Sequence, residues 1–375
     1  MSEEGGAGIS VAAGMSPDEL GELARLVADD QAPDVYHARG YAHRKRGEFE
    51  RAVFFYSVAI GKDPRHFKAL FNRGFSHDKL GRFDLAIADY TAAIGLEGRN
   101  AFAFYNRGIS YDRKGDLKQA IDNFTAAIDL DGSNADFYHN RGFSNRKLGR
   151  YAAATQDYSA ALRLNDKHFK AYYNRAFAQD KLGHYQDAVS DYTQALVLEP
   201  RNANALHNRA SAHEKLGNNA EALADFTAAI ALDRANASSF NSRGLVRDKM
   251  GQLDAAIADF SMAVELEPDN AIYVHNRGYC YRNKGDFAQA CVDYTRAIEL
   301  NPWNALAFNN RGYVLYLVCL ASNNWGYALH VVLHIVCLAF NNRGITHKNK
   351  NKNKVVRPVP TQVPTNTCVF VCTCL

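Results

Sequence analysis

Cysteine is absent before Cys280 in this 375-residue chain, although seven cysteines follow from that point. This excludes a disulfide framework in the main body, and we expect a reducing compartment. Proline is scarce, at nine residues, and no apolar run reaches the roughly 20 residues that a membrane-spanning helix needs. The acidic N-terminus has no apolar run after a basic start, so we expect no secretory signal peptide.

An excess of one charge is also missing. The chain has 44 Lys and Arg against 40 Asp and Glu, which gives a formal net charge of +4. Such a balance argues against a protein that binds nucleic acid by bulk electrostatics, so we expect no nucleic-acid partner. An apolar fraction of 47% with 22% charged residues is enough for a large core, which excludes wholesale disorder.

The chain does contain a repeat of 34 residues. An arginine followed by glycine or alanine recurs nine times at this spacing, at Arg39, Arg73, Arg107, Arg141, Arg175, Arg209, Arg243, Arg277 and Arg311. A glycine recurs eight times, at Gly47, Gly81, Gly115, Gly149, Gly183, Gly217, Gly251 and Gly285. Two alanine series have the same period. Eight full units therefore span residues 33–304, and a ninth begins at Ala305 and loses the register after about Val318.

Each unit has the pattern of two helices. In residues 67–100, Leu70, Phe71 and Phe75 lie at helical spacing, and Gly81 follows as a helix-ending glycine. A second apolar stripe comes after that glycine. Neither helix can bury its stripe alone, whereas stacking of neighbouring pairs buries it continuously, so the pattern predicts a solenoid.

This unit resembles the tetratricopeptide repeat over residues 33–318. The shared features are 34 residues, Gly at the eighth position, Ala four residues before an aromatic, a further Ala, and Pro near the end of four units. The resemblance implies an all-α fold, a right-handed superhelical solenoid of helix-turn-helix units. There are two departures from the family. The usual Leu before the glycine is Arg in every unit, and the usual Tyr after it is kept only at Tyr111 and Tyr281.

The repeated arginine is expected to have an acidic partner. Sixteen residues later, six units have aspartate, at Asp89, Asp157, Asp191, Asp225, Asp259 and Asp293, and the other two have Asn123 or Phe55. One interpretation is a row of arginines for acidic ligands. The other is an ion pair within each unit, and it is favoured because charges are rarely buried unpaired. We therefore predict six close Arg–Asp pairs.

The residue before each arginine is a candidate for peptide binding. It is asparagine in seven units, at Asn72, Asn106, Asn140, Asn174, Asn208, Asn276 and Asn310, whereas Ala38 and Ser242 break the series. In this family the first helices line the concave face, and the row is similar to the asparagine row in the superhelix of O-linked N-acetylglucosamine transferase. The resemblance implies that these amides hold a peptide backbone. The alternative is that they cap helices or link adjacent ones.

Other kinds of site are not expected. The carboxylate clamp of chaperone-binding repeats needs Arg at the place where Asn72 and Asn174 stand. His37, His139, His207 and His275 recur at one repeat position, without any local zinc-binding spacing. No phosphate-binding glycine loop, Gly-x-Ser-x-Gly or His-Glu-x-x-His motif occurs. We therefore expect no catalytic residue, no metal and no cofactor.

The ends differ from the repeats. Ser16, Pro17 and Glu19 predict a capped helix within residues 16–32, whereas residues 1–15 are expected to be disordered. After residue 304 we expect a partial or irregular ninth helix pair in 305–344, with helices at 305 to about 321 and about 327–340 and a turn at 322–326, then an irregular, basic, Cys-containing tail in 345–375. Three interpretations of the apolar end stay open: an irregular helix pair, a segment that binds a membrane or partner, and a frame-shifted gene model.

Together these features predict a non-catalytic, cytoplasmic scaffold that binds a protein or extended peptide in its concave groove. Two alternatives stay open. One is the substrate-targeting arm of a transferase complex. The other is a membrane-associated adaptor anchored through the apolar C-terminal tail, which is the only part expected to contact a membrane.

Overall fold

The computed structural model describes residues 16–321, and it contains eighteen helices and no strand in that span. The chain divides into two compact units, with the boundary between Leu198 and Glu199. The helices of the first unit are α1 (Pro17–Val27), α2 (Pro33–Lys45), α3 (Phe49–Lys62), α4 (Phe67–Lys79), α5 (Phe83–Leu96), α6 (Ala101–Lys114), α7 (Leu117–Leu130), α8 (Ala135–Lys147), α9 (Tyr151–Leu164), α10 (Phe169–Leu182) and α11 (Tyr185–Leu198). Those of the second are α12 (Ala203–Leu216), α13 (Asn219–Leu232), α14 (Ala237–Lys249), α15 (Leu253–Leu266), α16 (Ala271–Lys284), α17 (Phe287–Leu300) and α18 (Ala305–Ala321).

The predicted all-α class is confirmed. Within the described residues, the sixteen helices expected between residues 33 and 304 are α2 to α17, two in every 34-residue unit. The expected helix after Ala305 is also present, as α18. The predictions of disorder in residues 1–15, a turn at 322–326, a helix at about 327–340 and an irregular tail in 345–375 fall outside the described residues.

Glycine separates the two helices of each repeat. The eight turn glycines predicted from the sequence all have positive φ, from 74° at Gly149 and Gly251 to 95° at Gly115. The Gly115 N–H then bonds the carbonyl oxygens of Tyr111 and Asp112 and closes α6. Because residues with a Cβ rarely adopt this left-handed conformation, the glycine fixes the end of each first helix.

Alanines and one aromatic ring form the interior of each repeat. At the position of Tyr90 and Phe124, all eight rings are at most 1% exposed, and the alanine four residues earlier is fully buried in every repeat. The ring packs on the glycine within the first helix: a Cβ added at Gly108 would lie 2.7 Å from the Phe124 ring. This position therefore requires a small residue.

In the first unit, helices α2 to α11 form five hairpins. Each second helix also packs on the first helix that follows it, and neighbouring first helices contact each other. Helix α1 covers the start of this stack by packing on α3, where Leu23 is buried. Ser16 and Glu19 form the predicted capping box of α1, and Lys62 donates hydrogen bonds to the carbonyl oxygens of Val27 and Asp29.

In the second unit, α12 to α17 form three hairpins with the same neighbour relations, and α18 packs on α17. Val314 of α18 is fully buried against Ala290, Cys291 and Tyr294. Cys280, Cys291 and Cys319 are buried, and burial raises the pKa of Cys280 to about 12.

Candidate peptide-binding surface

The six predicted Arg–Asp pairs are all present. The guanidinium lies 2.6 Å from the carboxylate in Arg73–Asp89 and 2.7 Å in Arg141–Asp157, Arg175–Asp191, Arg209–Asp225, Arg243–Asp259 and Arg277–Asp293. The first pair is enclosed, with 1% and 2% of the two side chains exposed, whereas the arginines of the others keep 12% to 23%. The interpretation of these residues as ion pairs within a single repeat is confirmed for all six.

Five of these six arginines (Arg73, Arg141, Arg175, Arg243 and Arg277) also donate to a hydroxyl, a contact that was not predicted from the sequence. Arg73 Nη1 donates to Ser57 Oγ at 3.0 Å, and Arg175 Nη1 donates to Ser159 Oγ at the same distance. The hydroxyl belongs to the second helix of the preceding repeat, sixteen residues before the arginine. The signal was available, because Ser or Thr recurs every 34 residues at Ser57, Thr91, Thr125, Ser159, Thr193, Thr227, Ser261 and Thr295. The guanidinium therefore links two consecutive second helices through one side chain.

The pKa of a repeated arginine depends on whether its acceptor is aspartate or asparagine. Hydrogen bonds from Arg277 to Asp293 raise the pKa of this arginine. In the one pair where asparagine replaces aspartate, burial lowers the pKa of Arg107, which donates instead to Asn123 Oδ1 at 2.7 Å. Burial raises the pKa of Asp89, although Arg73 opposes the rise. The carboxylates thus stabilise the charge of the partly buried guanidinium groups.

The first helices present a separate surface. The first-helix surface is defined here as the side chains through which the first helices of neighbouring repeats contact each other. In the first compact unit these helices are α2, α4, α6, α8 and α10, and in the second they are α12, α14, α16 and α18. The asparagine row lies on this surface, and its members are partly exposed except Asn174, which is 8% exposed.

Five of the seven asparagines donate to the preceding first helix. The bonds run from Nδ2 to the residue 35 positions earlier, as Asn72–His37 at 3.0 Å, Asn140–Tyr105 at 2.8 Å, Asn174–His139 at 3.2 Å, Asn276–Asn241 at 2.9 Å and Asn310–His275 at 3.1 Å. Asn106 instead donates to the Phe102 carbonyl of its own helix at 2.7 Å. Asn208 lies at the equivalent place on α12. The amides thus make the helix-linking bonds of the alternative interpretation.

These bonds leave an acceptor on each amide of the first unit. Within residues 16–321, the side-chain oxygens of Asn72, Asn106, Asn140 and Asn174 make no hydrogen bond. Because one side of the amide is held by a neighbouring group, the orientation of its oxygen is fixed. Such an oxygen can accept a hydrogen bond from a peptide N–H.

All three histidine partners have lowered pKa values, and for His275 the main cause is burial. Burial and the neighbouring His66 lower the pKa of His37, and burial with His168 lowers that of His139 to about 4. All three imidazoles are therefore neutral near pH 7, and Nε2 accepts from the Asn amide. The ring of His139 stacks on that of His168 with centroids 4.8 Å apart.

In the part of the chain that the structure describes, one group of residues has the spacing of a metal site: Asp34, His37 and His66, whose ligand atoms lie within 4.8 Å of one another. However, His66 Nδ1 accepts the N–H of Ala69 at 3.3 Å and so caps α4. In the neutral ring, the proton then lies on Nε2, which faces Asp34 at 3.2 Å. A metal on Nε2 would require the opposite tautomer and break the cap, so the geometry favours a capping role.

Arginines stacked between aromatic rings are a second feature that the sequence analysis missed. The Arg44 guanidinium carbon lies 4.8 Å from the Tyr41 ring centroid and 5.0 Å from that of Phe75 on the next first helix. Arg146 repeats this arrangement with Phe143 at 4.8 Å and Phe177 at 4.9 Å. In the second unit, Arg282 lies between Tyr279 and Tyr313, at 4.2 and 5.8 Å. We call each such set an arginine sandwich.

The signal for the sandwiches has a longer period than one repeat. Arg44 and Arg146, like the aromatic pairs beside them, are three repeat lengths apart. In the intervening repeats the same position is Asp78 and Asp112, which form ion pairs with Arg113 and Lys147. From one repeat to the next, this position is simply variable.

Family comparisons agree with this architecture. Tetratricopeptide repeat models match residues 37–103, 71–135, 105–169, 169–202, 203–236 and 237–270, and a further TPR repeat model matches 278–318. The chain belongs to the tetratricopeptide repeat family. Repeats of this family generally serve as scaffolds for protein interaction, and this repeat protein is in that class. Among residues 16–321, no helix has the length and apolar character needed to cross a bilayer.

Two of the similar solved structures are described as tetratricopeptide repeat proteins. YrrB, described as a TPR protein with an unusual peptide-binding site, is 24% identical, covers 50% of this chain and 96% of its own, and gives a TM-score of 0.45. A tetratricopeptide repeat protein from Parabacteroides merdae is 20% identical, with coverages of 66% and 98% and a TM-score of 0.49. MamA is 24% identical, covers 46% of this chain and 94% of its own, and gives a TM-score of 0.43. Among curated proteins there is no significant match.

Proposed function

We propose that this repeat protein is a non-catalytic scaffold that binds an extended segment of a partner protein along the part of the first-helix surface that lies in the first compact unit. The observation that supports this most is that the amide oxygens of Asn72, Asn106, Asn140 and Asn174 accept no hydrogen bond from any residue in the described span. A cytoplasmic location stays part of the proposal, supported by the lack of cysteine before Cys280.

Binding through this row depends on several weak bonds. Each amide oxygen accepts one backbone N–H of the partner, and a single such bond contributes only about 1 kcal/mol net. Backbone recognition does not select side chains, so the neighbouring residues set the preference. In the first unit those are His37, Phe71, Tyr105 and His139, which differ in size and polarity from repeat to repeat.

The test begins with a phage-displayed library of linear 12-residue peptides, from which a ligand of the full chain is selected. Affinity for that peptide is then measured by fluorescence anisotropy, and stability by urea unfolding. Asn106→Ala should weaken binding without loss of stability, because Asn106 bonds only its own helix. Asn174→Ala should lower both, because its amide links α10 to α8.

The combined variant Asn72→Ala/Asn106→Ala/Asn140→Ala/Asn174→Ala should weaken binding far more than any single change. Asn165→Ala, in an exposed turn, is the matched control and should alter neither affinity nor the helical signal by circular dichroism. If the combined variant loses stability while the affinity of its folded fraction is unchanged, the asparagines are links between helices and the proposal is wrong.

A further inference from the structure

Two arginine sandwiches lie in the first compact unit. In each, the stacked arginine and two lysines lie close to the same pair of rings. At the first, Lys45 and Lys79 approach the Tyr41 and Phe75 rings at 5.4 and 5.2 Å, beside the stacked Arg44. At the second, Lys147 lies 4.8 Å from the centroid of the Phe143 ring and Lys181 lies 5.3 Å from that of the Phe177 ring, beside the stacked Arg146. The same arrangement of two rings and three cations therefore occurs twice on one surface.

Five of the six cations at these places form no ion pair within the described residues, and Lys147, which pairs with Asp112, is the exception. Within residues 16–321, Arg44, Lys45 and Lys79 form no ion pair, and neither do Arg146 and Lys181. Between the two sandwiches, acidic residues replace the stacked arginine and pair with a cation of the next helix, as Asp112 does with Lys147 at 2.7 Å. The surface thus has two cationic places separated by a neutral stretch.

The stacking fixes the orientation of each guanidinium. The Nε atoms of Arg44 and Arg146 are buried and make no hydrogen bond within the described residues, although both residues are only partly buried. The exposed edge is therefore the one formed by the two Nη groups. An arginine held in this way loses little side-chain entropy on binding, and its paired Nη donors match a carboxylate.

We propose that the two arginine sandwiches of the first unit bind one acidic peptide, with a carboxylate side chain on each guanidinium. The inference rests on the proposed function and names the class of its ligand. A nucleic acid fits the surface less well, because bases stack on open ring faces and here the guanidinium occupies a face of both rings in each sandwich.

The spacing sets the length of the ligand. Packed helices lie about 8–10 Å apart, so first helices three repeats apart are separated by roughly 27 Å. An extended peptide spans about 3.3–3.6 Å per residue, so the two carboxylates should stand roughly eight residues apart. A peptide of about twelve residues reaches both sandwiches.

The experiment uses the full chain with a fluorescein-labelled dodecamer of glutamate, a matched dodecamer of glutamine, and anisotropy as the readout. The glutamate peptide should bind at least about tenfold more tightly than the glutamine peptide, and less tightly as NaCl rises. Arg44→Gln and Arg146→Gln should each weaken binding of the glutamate peptide about tenfold, the loss of one charge-assisted contact. Arg163→Gln, on an exposed part of α9, is the matched control and should stay within twofold.

A second pair of variants separates orientation from charge. Phe75→Leu and Phe177→Leu keep every cation but remove one ring of each sandwich, and we expect a loss of about three- to tenfold with an unchanged circular dichroism spectrum. Equal affinity of all variants for the glutamate peptide would overturn the proposal. Tighter binding of a dodecamer of uridylate, weakened by the same arginine variants, would also overturn it, in favour of single-stranded RNA.

The two proposals fail in different ways. If the glutamate peptide does not bind while a library-selected peptide still depends on Asn106, the acidic-ligand inference is wrong and the scaffold proposal stands. If no linear peptide binds at all, both are wrong.

Discussion

The repeats have nearly the same residues at their interior positions, whereas their residues differ on the first-helix surface. In the interior, the buried alanines and one aromatic ring recur in all eight repeats, and the Arg–Asp pair recurs in six. On the first-helix surface, neighbouring repeats present Arg44, Asp78, Asp112 and Arg146 at a single position. Within one architecture, one set of positions hardly changes and the other changes from repeat to repeat.

This difference separates stability from recognition. Stacking requires the same contacts at each junction, so positions such as Ala86, Tyr90 and Asp89 tolerate little change. The surface needs only to stay soluble, so its side chains can vary with the ligand. Changes in the interior should therefore lower stability, and changes on the surface should lower affinity.

The largest effect is expected when the most buried ion pair is broken. Asp89→Ala leaves the Arg73 guanidinium, which is 1% exposed, without its carboxylate. We expect a loss of about 4 kcal/mol in the free energy of unfolding, because an uncompensated charge stays buried. Urea unfolding followed by circular dichroism measures it.

Two further variants control this result. Asp191→Ala should cost only about 2 kcal/mol, because Arg175 keeps 21% of its side chain exposed and water screens the remaining charge. The double change Arg73→Met/Asp89→Leu should recover most of the loss from Asp89→Ala, since no charge remains buried. A small cost for Asp89→Ala would show that Arg73 does not depend on its partner.

The next effect concerns pH. Burial, with the nearby Arg73 charge, lowers the pKa of His77 to about 3, and burial lowers that of His139 to about 4. An unfolded histidine has a pKa of about 6.5. Between these values only the unfolded chain binds the proton, so stability is complete above pH 6.5 and falls as the pH drops. At pH 5 each histidine should cost about 2 kcal/mol.

Unfolding midpoints at pH 7.5, 6 and 5 measure the slope. His77→Gln should reduce the loss of stability between pH 7.5 and 5, because the histidine with the lowered pKa is removed. His77 Nε2 lies 3.9 Å from the Asp89 carboxylate, which is too far for a hydrogen bond to hold the proton. Equal slopes in wild type and His77→Gln would contradict the account.

The sequence predicted those features that a single repeat determines. The turn at Gly115, the two helices around it and pairs such as Arg175–Asp191 follow from spacing within one unit, because helix period and charge pairing are local rules. The two helices in each repeat and all six ion pairs agree with those expectations.

Features between repeats could not be predicted in the same way. The bond from Asn140 to Tyr105 and the stacking of Arg44 on Phe75 depend on how neighbouring helices sit against each other, which spacing along the chain does not contain. The hydroxyl series that includes Ser57 was visible in the sequence, but its role needed the geometry of three helices. The peptide-binding role of the asparagines stays a prediction.

The smallest predicted effect concerns glycine. Gly115→Ala should cost about 1 kcal/mol, because φ is 95° there and no neighbouring atom obstructs the methyl group, so the loss is backbone strain alone. Gly95→Ala is the matched control: it lies inside α5 with open space around it and should stabilise the chain by up to about 1 kcal/mol. Differential scanning calorimetry measures the change in unfolding temperature for each variant. A change in the same direction for both would contradict this explanation of the turn.

The most direct test of the division between interior and surface measures two quantities in two variants. The free energy of unfolding and the affinity for the glutamate dodecamer are determined for Asp191→Ala and Arg44→Gln. We predict that Asp191→Ala loses about 2 kcal/mol of stability and keeps its affinity, whereas Arg44→Gln loses about tenfold in affinity and less than about 1 kcal/mol of stability. If both variants instead lose stability and affinity in parallel, the interior and the surface do not have separate roles.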